Sequence, residues 1–304
     1  MRTKFFTRAV AVLGALAVAA CSEAGTGASS DQTNVATALQ DQIGAMGDAD
    51  FGASGAVATT VLAGGPADLL TDTAIVPRFW GRERIVPGGP KPVYTRDITV
   101  QGDTAWVTRG AQFQGIFLTD TSDDSVFNPT SKPLADEASQ LAVLVRRSNE
   151  RHGWRLVRLS PVDWVTTDAG RRSVNIEQVQ VYRNGQLLLD VDRPDSLIDV
   201  DSNCPHFQLG DTVTVVTRVT NTTGSGLSPA TFVFLHVRQG DPAGAIWHRI
   251  KMNDQGDGSW RRSFIVKRTG RDRLIVDALD AATLALGTPD NYRANEWGVP
   301  YAIQ

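Results

Sequence analysis

The sequence has few of the features by which several large protein classes are recognised. Only two of its 304 residues are cysteine, Cys21 and Cys204, which excludes a fold held together by several disulfides. The apolar run Ala9 to Ala20 has only twelve residues, fewer than the roughly 20 that a permanent transmembrane helix needs. Packing must therefore provide the stability of the folded chain.

Motifs of nucleotide-binding proteins and common hydrolases are also missing. There is no GxxxxGK loop, no GxSxG elbow and no HExxH helix, so neither activity has a motif to support it. No run of lysine and arginine stands out and the formal net charge is −3, which argues against a nucleic-acid partner. The hydrophobic content of 41% and charged content of 21% are typical of a globular protein.

The first 21 residues have the layout of an export signal. Three basic residues and no acidic one precede the apolar run Ala9 to Ala20, and small residues lead to Cys21. The segment Val18 to Cys21 (VAAC) resembles the lipobox of bacterial lipoproteins. The resemblance implies a signal peptide over 1–20, a lipid anchor such as palmitate on Cys21, and the membrane as a partner. The alternative is an ordinary secretory signal with an incidental cysteine.

The residues after Cys21 refine this prediction. Many lipoproteins that stay at the inner membrane of diderm bacteria have aspartate where this chain has Ser22, so the resemblance favours the outer membrane in such an organism. Residues 21–31 are small and polar and predict a flexible tether. Removal of residues 1–20 takes away three basic and no acidic residues, and the net charge becomes about −6.

Residues 32–165 predict an α+β domain that begins with helices. After a cap at Asp31, apolar residues recur at helical spacing, at Val35, Leu39, Ile43 and Met46. Two shorter helices are predicted over 54–63 and near 69–70. Helices packed on one face of a curved antiparallel sheet would form the layers of this domain.

From Tyr94 the apolar period changes to two, which indicates strands up to Leu159. The runs Val100 to Val107 (VQGDTAWV) and Gly153 to Leu159 (GWRLVRL) resemble the nuclear transport factor 2-like superfamily, which includes ketosteroid isomerase and SnoaL-like proteins. The resemblance implies a cone-shaped fold with a ligand pocket inside.

Residues 174–304 predict an all-β domain. The turn signal Asn184-Gly185 lies between two strand patterns, and six further short strands follow, separated by turn clusters. The stretch Leu209 to Asn221 resembles immunoglobulin-like domains of bacterial envelope proteins. The polar segment 166–173 is the predicted boundary between the two domains.

Candidate pocket residues follow from the resemblance to the cone-shaped fold. They combine aromatic walls with one fixed charge: Trp80, Tyr94, Trp106, Arg109 and Phe113. The alternative is that the aromatic residues form core and Arg109 lies on the outer face. No catalytic set of the superfamily can be matched, since His152 falls in a polar turn and Asp97 would need a raised pKa to act as a base.

Cysteine and histidine in the second domain suggest a metal site, because both are good ligands for zinc or copper. The residues are Cys204, His206, His236 and His248. No second closely spaced pair exists, and strand alternation explains His236, so neither a metal nor another cofactor is predicted. Cys204 is expected to be a free, buried thiol.

Three functions remain open. The first is a non-enzymatic envelope lipoprotein that presents binding surfaces to another envelope component. The second is a small-molecule binder or enzyme, which requires Tyr94, Trp106 and Arg109 to converge in one cavity. The third is a sandwich that binds polysaccharide through exposed Trp260 or Trp297, because aromatic planes stack on sugars.

Overall fold

The computed structural model of the chain describes residues 27–43, 79–120, 126, 128–224, 226–239, 246–285 and 292–303. The predicted signal peptide and the lipidation site at Cys21 lie outside these residues. So do Met46 and the two shorter helices predicted over 54–63 and near 69–70. The account of the fold below concerns the described residues.

The described chain contains one long helix, one short helix and seventeen strands. Helix α1 spans Gly27–Ile43 and helix α2 spans Ala281–Leu284. The strands, in chain order, are β1 (Phe79–Glu83), β2 (Val93–Gln101), β3 (Thr104–Asp120), β4 (Thr130–Arg146), β5 (Trp154–Leu159), β6 (Val162–Thr166), β7 (Val174–Arg183), β8 (Gln186–Val191), β9 (Ile198–Asp199), β10 (His206–Phe207), β11 (Thr212–Asn221), β12 (Thr231–Gln239), β13 (Ile246–Lys251), β14 (Asn253–Asp254), β15 (Ser259–Ile265), β16 (Gly270–Asp280) and β17 (Ala294–Ile303).

Two strands of 17 residues, β3 and β4, are the longest of the larger sheet. They pair antiparallel from Thr104 opposite Val145 to Thr119 opposite Thr130. The first half of β3 pairs with β2 and the second half with β1, while β4 pairs with β5 and β6 along two successive stretches. The sheet therefore branches, with β2 and β5 on one half and β1 and β6 on the other.

The half that contains β1 and β6 continues into the C-terminal strands and curls. Its order is β1-β3-β4-β6-β17-β16-β12-β13, with antiparallel neighbours throughout. At the end of this path Arg249 of β13 meets β1, because its Nη1 donates to the Trp80 carbonyl at 2.6 Å. The Arg249 guanidinium also lies 3.5 Å from the centroid of the Trp80 ring. The curled sheet thus has a concave interior lined by one side of eight strands.

The outer side of β12, β16 and β17 packs on a second sheet of five strands, in the order β14-β15-β11-β7-β8. Side chains alternate along each strand, so Val276 and Val299 face the second sheet, where Val213 and Val215 meet them in one apolar core. Burial of each such side chain stabilises the fold by about 1.5 kcal/mol or more. A mostly β, sandwich-like arrangement is therefore confirmed.

Helix α1 covers the other half of the branched sheet. Three apolar side chains of the predicted stripe, Val35, Leu39 and Ile43, are fully buried and pack in one cluster with Trp154. Gln42 fixes the position of the helix, because its Nε2 donates to the Trp154 carbonyl at 2.7 Å. The amphipathic pattern read from the sequence is thus the packing face of α1.

The predicted α+β cone is wrong. Strands make up 60% of the structure and helices 11%, and only one helix of seven or more residues occurs in the described part of the chain. The reason is visible in the concave interior, where Phe117 and Leu134 pack on Phe232 and Leu279 from the C-terminal strands. Strands from the second half of the chain cover the sheet at the place where helices were expected.

The two halves of the chain are joined by backbone hydrogen bonds. Strand β6, before the predicted boundary, pairs antiparallel with β17, from Gly298 opposite Val162 to Asn295 opposite Val165. The larger sheet therefore includes strands from both sides of the segment 166–173. Among the described residues, no helix has the length and apolar character needed to cross a bilayer.

Candidate functional site

Charged and polar side chains occupy the concave interior of the curled sheet. They lie on five strands and in the segments just after β1 and before β17, and none is more than 2% exposed. We call them the buried charge network: Arg82, Arg84, Asp136, His236, Asp277, Tyr292 and Glu296.

Two glycines give this network its space. A Cβ on Gly115 of β3 would lie 2.1 Å from the carbonyl oxygen of Glu83, so only glycine lets β1 approach closely enough to place Arg84. A Cβ on Gly298 would lie 2.8 Å from the ring of Trp164. The Arg84 guanidinium lies 5.9 Å from the centroid of that same ring. A side chain at either position would therefore push away a neighbour of Arg84.

Arg82 is held by three side chains. Its Nη1 and Nη2 donate to the two carboxylate oxygens of Asp277 at 2.6 and 2.8 Å. Its Nε donates to the hydroxyl of Tyr292 at 2.8 Å, and Nη1 lies 3.3 Å from a carboxylate oxygen of Glu296. A bidentate pair of this kind has two parallel charge-assisted hydrogen bonds and a fixed geometry.

Arg84 joins Asp136 to Glu296. Its Nε donates to Asp136 Oδ2 at 2.9 Å, and its Nη2 donates to Glu296. The hydroxyl of Tyr292 donates to the same Asp136 oxygen at 3.0 Å. Because Tyr292 also accepts from Arg82, the two arginines and their acidic partners form one continuous network.

Burial and pairing set the protonation states. Burial alone would lower the pKa of Arg82, but Asp277 and Glu296 outweigh it and hold that pKa above its usual value. Burial raises the pKa of Asp277, yet Arg82 and a hydrogen bond from His236 bring it below its usual value. Burial lowers the pKa of His236, so its ring is neutral at pH 7 and Nε2 lies 2.9 Å from Asp277 Oδ2.

Asp136 differs from Asp277, because burial keeps its pKa above the usual value even with Arg84 beside it. Burial also raises the pKa of Tyr292, so the hydroxyl keeps its proton. Removal of one member of a buried ion pair costs about 3 to 5 kcal/mol, because the remaining charge is left unpaired. The network therefore fixes β1 against β4, β16 and β17, and its groups are sealed from solvent.

The five predicted pocket residues do not meet in one cavity. Trp80, Arg109 and Phe113 are buried, at 4%, 1% and 1% exposure, whereas Tyr94 and Trp106 are 42% and 45% exposed. Arg109 lies on the inner face, where its Nη1 donates to Gln140 Oε1 at 2.9 Å.

An aromatic contact joins two of these five residues. The rings of Tyr94 and Phe113 meet edge to face with centroids 6.3 Å apart. Trp106 is three residues from Arg109 on β3, and alternation places the two side chains on opposite faces of the sheet. Asp97, the candidate base, is exposed on β2.

The four candidate metal ligands of the second half, Cys204, His206, His236 and His248, do not gather at one place. His236 belongs to the buried charge network, and His206 Nδ1 lies 2.7 Å from the carbonyl oxygen of Cys204. His248 is half-buried on the side of β13 opposite to Arg249. Within the described ranges, no three side chains of ligand type gather closely enough to hold a metal ion.

A small cavity lies where α1, β5 and β17 meet. Its free volume is about 20 Å³, enough for a water molecule, and Gln42, Cys204, Arg271 and Tyr301 contribute to its lining. Burial raises the pKa of the Cys204 thiol to about 12, so the sulfur keeps its proton and is a poor nucleophile. The cavity is much smaller than an ordinary metabolite site.

Sequence reasoning missed the buried charge network, although a signal for it exists. Arg82 and Arg84 follow the buried Trp80 at intervals of two residues, so all three side chains are predicted to lie on the same face of the strand. Asp277 likewise follows Ile275 at strand spacing, within the apolar run of β16. A charge in the apolar phase of a strand indicates a buried partner of opposite sign.

Comparison with known proteins gives no relative: no protein-family model, curated protein or solved structure matches the chain.

Proposed function

We propose that the chain is a lipid-anchored protein of a bacterial cell envelope that binds another envelope component and performs no chemistry itself. One contrast carries the proposal: the clustered titratable side chains are sealed inside the curled sheet, while bulky apolar side chains stand exposed along β2 and β3. A catalytic group must touch its substrate, and exposed aromatic side chains are typical of binding surfaces.

The proposed binding surface follows β2. Val93 and Trp106, on one face of the sheet, are 56% and 45% exposed, and Tyr94, on the other face at the same edge, is 42% exposed. Ile85, shortly before β2, is 52% exposed. Among the described residues β2 has one strand neighbour, β3, while Gln32 of α1 donates to its Ile98 carbonyl at 3.0 Å, so we place the partner along the part of β2 before Ile98. Apolar side chains beside a free strand edge favour protein binding.

The anchor is proposed from the sequence around Cys21. The export layout and the VAAC segment support acylation of this cysteine, and Ser22 supports the outer membrane in a diderm organism. Two or more acyl chains hold a protein firmly, since each buried methylene contributes about 0.8 kcal/mol. The acidic balance of the chain gives nucleic acid no role here.

The polysaccharide hypothesis is less well supported. It needs an exposed tryptophan in the second half of the chain, but Trp260 is 6% exposed and Trp297 is 2% exposed. Both rings lie in the core between the two sheets.

Lipidation is tested by metabolic labelling with an alkyne analogue of palmitate in a bacterial host that expresses the full chain. We expect label on the protein, and its loss in Cys21→Ala. The control Cys204→Ala should keep the label, because that cysteine is buried in the folded part. Absence of label from the unaltered chain would support the ordinary secretory signal instead.

The binding surface is tested by photo-cross-linking in intact cells. A photoreactive residue at position 94 or 106 should give a discrete cross-linked product. The matched control is position 265 on β15, where Ile265 is 52% exposed but belongs to the second sheet. Equal products at all three positions would show that β2 and β3 are not the binding surface.

A further inference from the structure

Three buried nitrogen donors on β12 and β13 have no hydrogen-bond partner among the described residues. They are Arg238 Nε, Trp247 Nε1 and Arg249 Nε. A buried donor that gives up water without a replacement acceptor costs about 1 to 3 kcal/mol. Each such donor needs an explanation, and one bound molecule with several acceptor atoms would account for all three together.

The register of the strands makes these residues neighbours. Arg238 lies directly opposite Trp247 in the β12–β13 pair, and its guanidinium is 5.4 Å from the centroid of the Trp247 ring. Arg249 is two residues from Trp247 on the same strand, so both side chains share a face. Opposite residues have Cβ atoms about 5 Å apart and diagonal neighbours about 7 to 8 Å. All three side chains are within reach of one small molecule.

The nearby carboxylates already have other partners. Asp277 pairs with Arg82 and His236, as described above. Asp272, the acidic group near Arg238, accepts from Arg268 Nη1 at 3.0 Å and from the backbone N–H of Arg273. This part of the sheet consequently has positive charge that its own acids do not fully balance.

The ionisation of Arg249 agrees with that charge balance. Burial lowers the pKa of Arg249 to about 9, and the attraction of Asp277 offsets only part of this effect. An anion beside the guanidinium would supply the missing stabilisation of its charged form.

Parts of the three side chains are exposed to solvent. Arg238, Trp247 and Arg249 are each half-buried, although the three nitrogens themselves are covered. The exposed parts of these side chains therefore mark the β12–β13 edge as the side from which a small ligand would reach the covered nitrogens.

We propose that Arg238, Trp247 and Arg249 form a binding site for a small oxyanion, either a carboxylate or a phosphate group. Two cationic side chains supply the charge, and three N–H donors match the several lone pairs of such an anion. The site goes beyond the proposed function and depends on neither Cys21 nor the surface of β2.

The test is thermal unfolding of the purified full-length chain in mild detergent, titrated separately with phosphate and with acetate at constant ionic strength set by chloride. We expect a saturable rise in Tm in one arm, because an anion that binds the folded state stabilises it by mass action. The arm that saturates identifies the anion class.

Two variants locate the site. Trp247→Phe keeps an aromatic ring but removes the Nε1 donor, and Arg238→Gln removes a positive charge. Each should raise the half-saturating anion concentration about tenfold, the effect of one lost charge-assisted hydrogen bond. The control Arg261→Gln, on an exposed arginine of the second sheet, should leave it unchanged.

For each variant, the half-saturating anion concentration is determined from the rise in Tm above that variant's own anion-free value. A general change in stability therefore does not imitate a change in anion binding. No saturable rise in either arm would overturn the proposal, as would an equal rise with chloride alone. An unchanged half-saturating concentration in both variants would also overturn it, and would assign the three donors to ordered water.

Discussion

At the scale of single residues, the buried charge network behaves as one unit. Arg82 and Arg84 share Glu296, and Tyr292 connects Arg82 to Asp136, which Arg84 contacts directly. Removal of one member leaves its partner charged inside a medium that solvates it poorly. The cost of such a deletion exceeds any net gain from the intact pair.

The substitution Asp277→Asn should therefore lower the free energy of unfolding by about 3 to 5 kcal/mol. The new amide cannot accept from both Arg82 nitrogens and also compensate the guanidinium charge. Urea unfolding followed by tryptophan fluorescence measures the loss. The control is Asp201→Asn, which breaks the exposed pair with Arg155 and should cost within about 1 kcal/mol. Equal losses in the two variants would contradict a cooperative network.

A pH-dependent effect is expected at Asp163. Burial raises its pKa to about 6, although Asn295 Nδ2 donates to it at 2.9 Å. The folded state thus binds this proton more tightly than the unfolded state. The resulting stabilisation is complete below about pH 4 and is lost as the pH rises through about 6.

Asp163→Asn should accordingly raise the free energy of unfolding at pH 7.5 by about 2 to 3 kcal/mol relative to its effect at pH 4. The measurement is urea unfolding of both proteins at the two pH values. Asp195→Asn, on an exposed side chain, is the control and should have the same small effect at both pH values. A larger gain at pH 4 than at pH 7.5 would reverse the assigned sign.

At the scale of elements, local signals in the sequence were sufficient for hairpins and for the face of α1. The turn at Asn184-Gly185 has positive φ angles of 50° and 87° and connects β7 to β8, as predicted. The extent of β4 was not predictable in the same way. Its first ten residues have no apolar alternation, since charged residues occupy interior positions. Lys132 and Asp136 point into the interior, where Thr283 and Arg84 satisfy their hydrogen bonds.

Element packing also depends on Gly115. Gly115→Ala should reduce the free energy of unfolding by at least about 2 kcal/mol, because backbone of β1 must move away from β3. Gly170→Ala is the control, since its nearest neighbour is the flexible carboxylate of Asp168 at 3.3 Å. Chemical denaturation of both variants decides the matter. Equal stability of the two variants would show that β1 can move away from position 115 at little cost in free energy.

At the scale of the whole molecule, the two halves of the chain complete each other. Asp277 and Glu296 belong to the second half, but the arginines that neutralise them lie on or just after β1. No local pattern in the sequence reports a partner some 200 residues away. This separation is why the cone was expected and a curled sheet was found.

A fragment of residues 174–304 tests this dependence. Without β1, β4 and β6 it exposes Phe232 and leaves Asp277 and Glu296 without their arginines. We expect it to lack a cooperative unfolding transition, whereas the full chain shows one. Circular dichroism during thermal unfolding distinguishes the outcomes. A sharp transition in the fragment would instead support two independent domains divided near 166–173.

The place of β17 has a consequence for the order of events as the chain is made. This strand, the last that the structure describes, lies between β6 and β16 near the middle of the larger sheet. When the chain emerges from its N-terminal end, β6 keeps an edge without its β17 neighbour until residues 294–303 have been synthesised. The larger sheet can therefore close only after β17 has been synthesised.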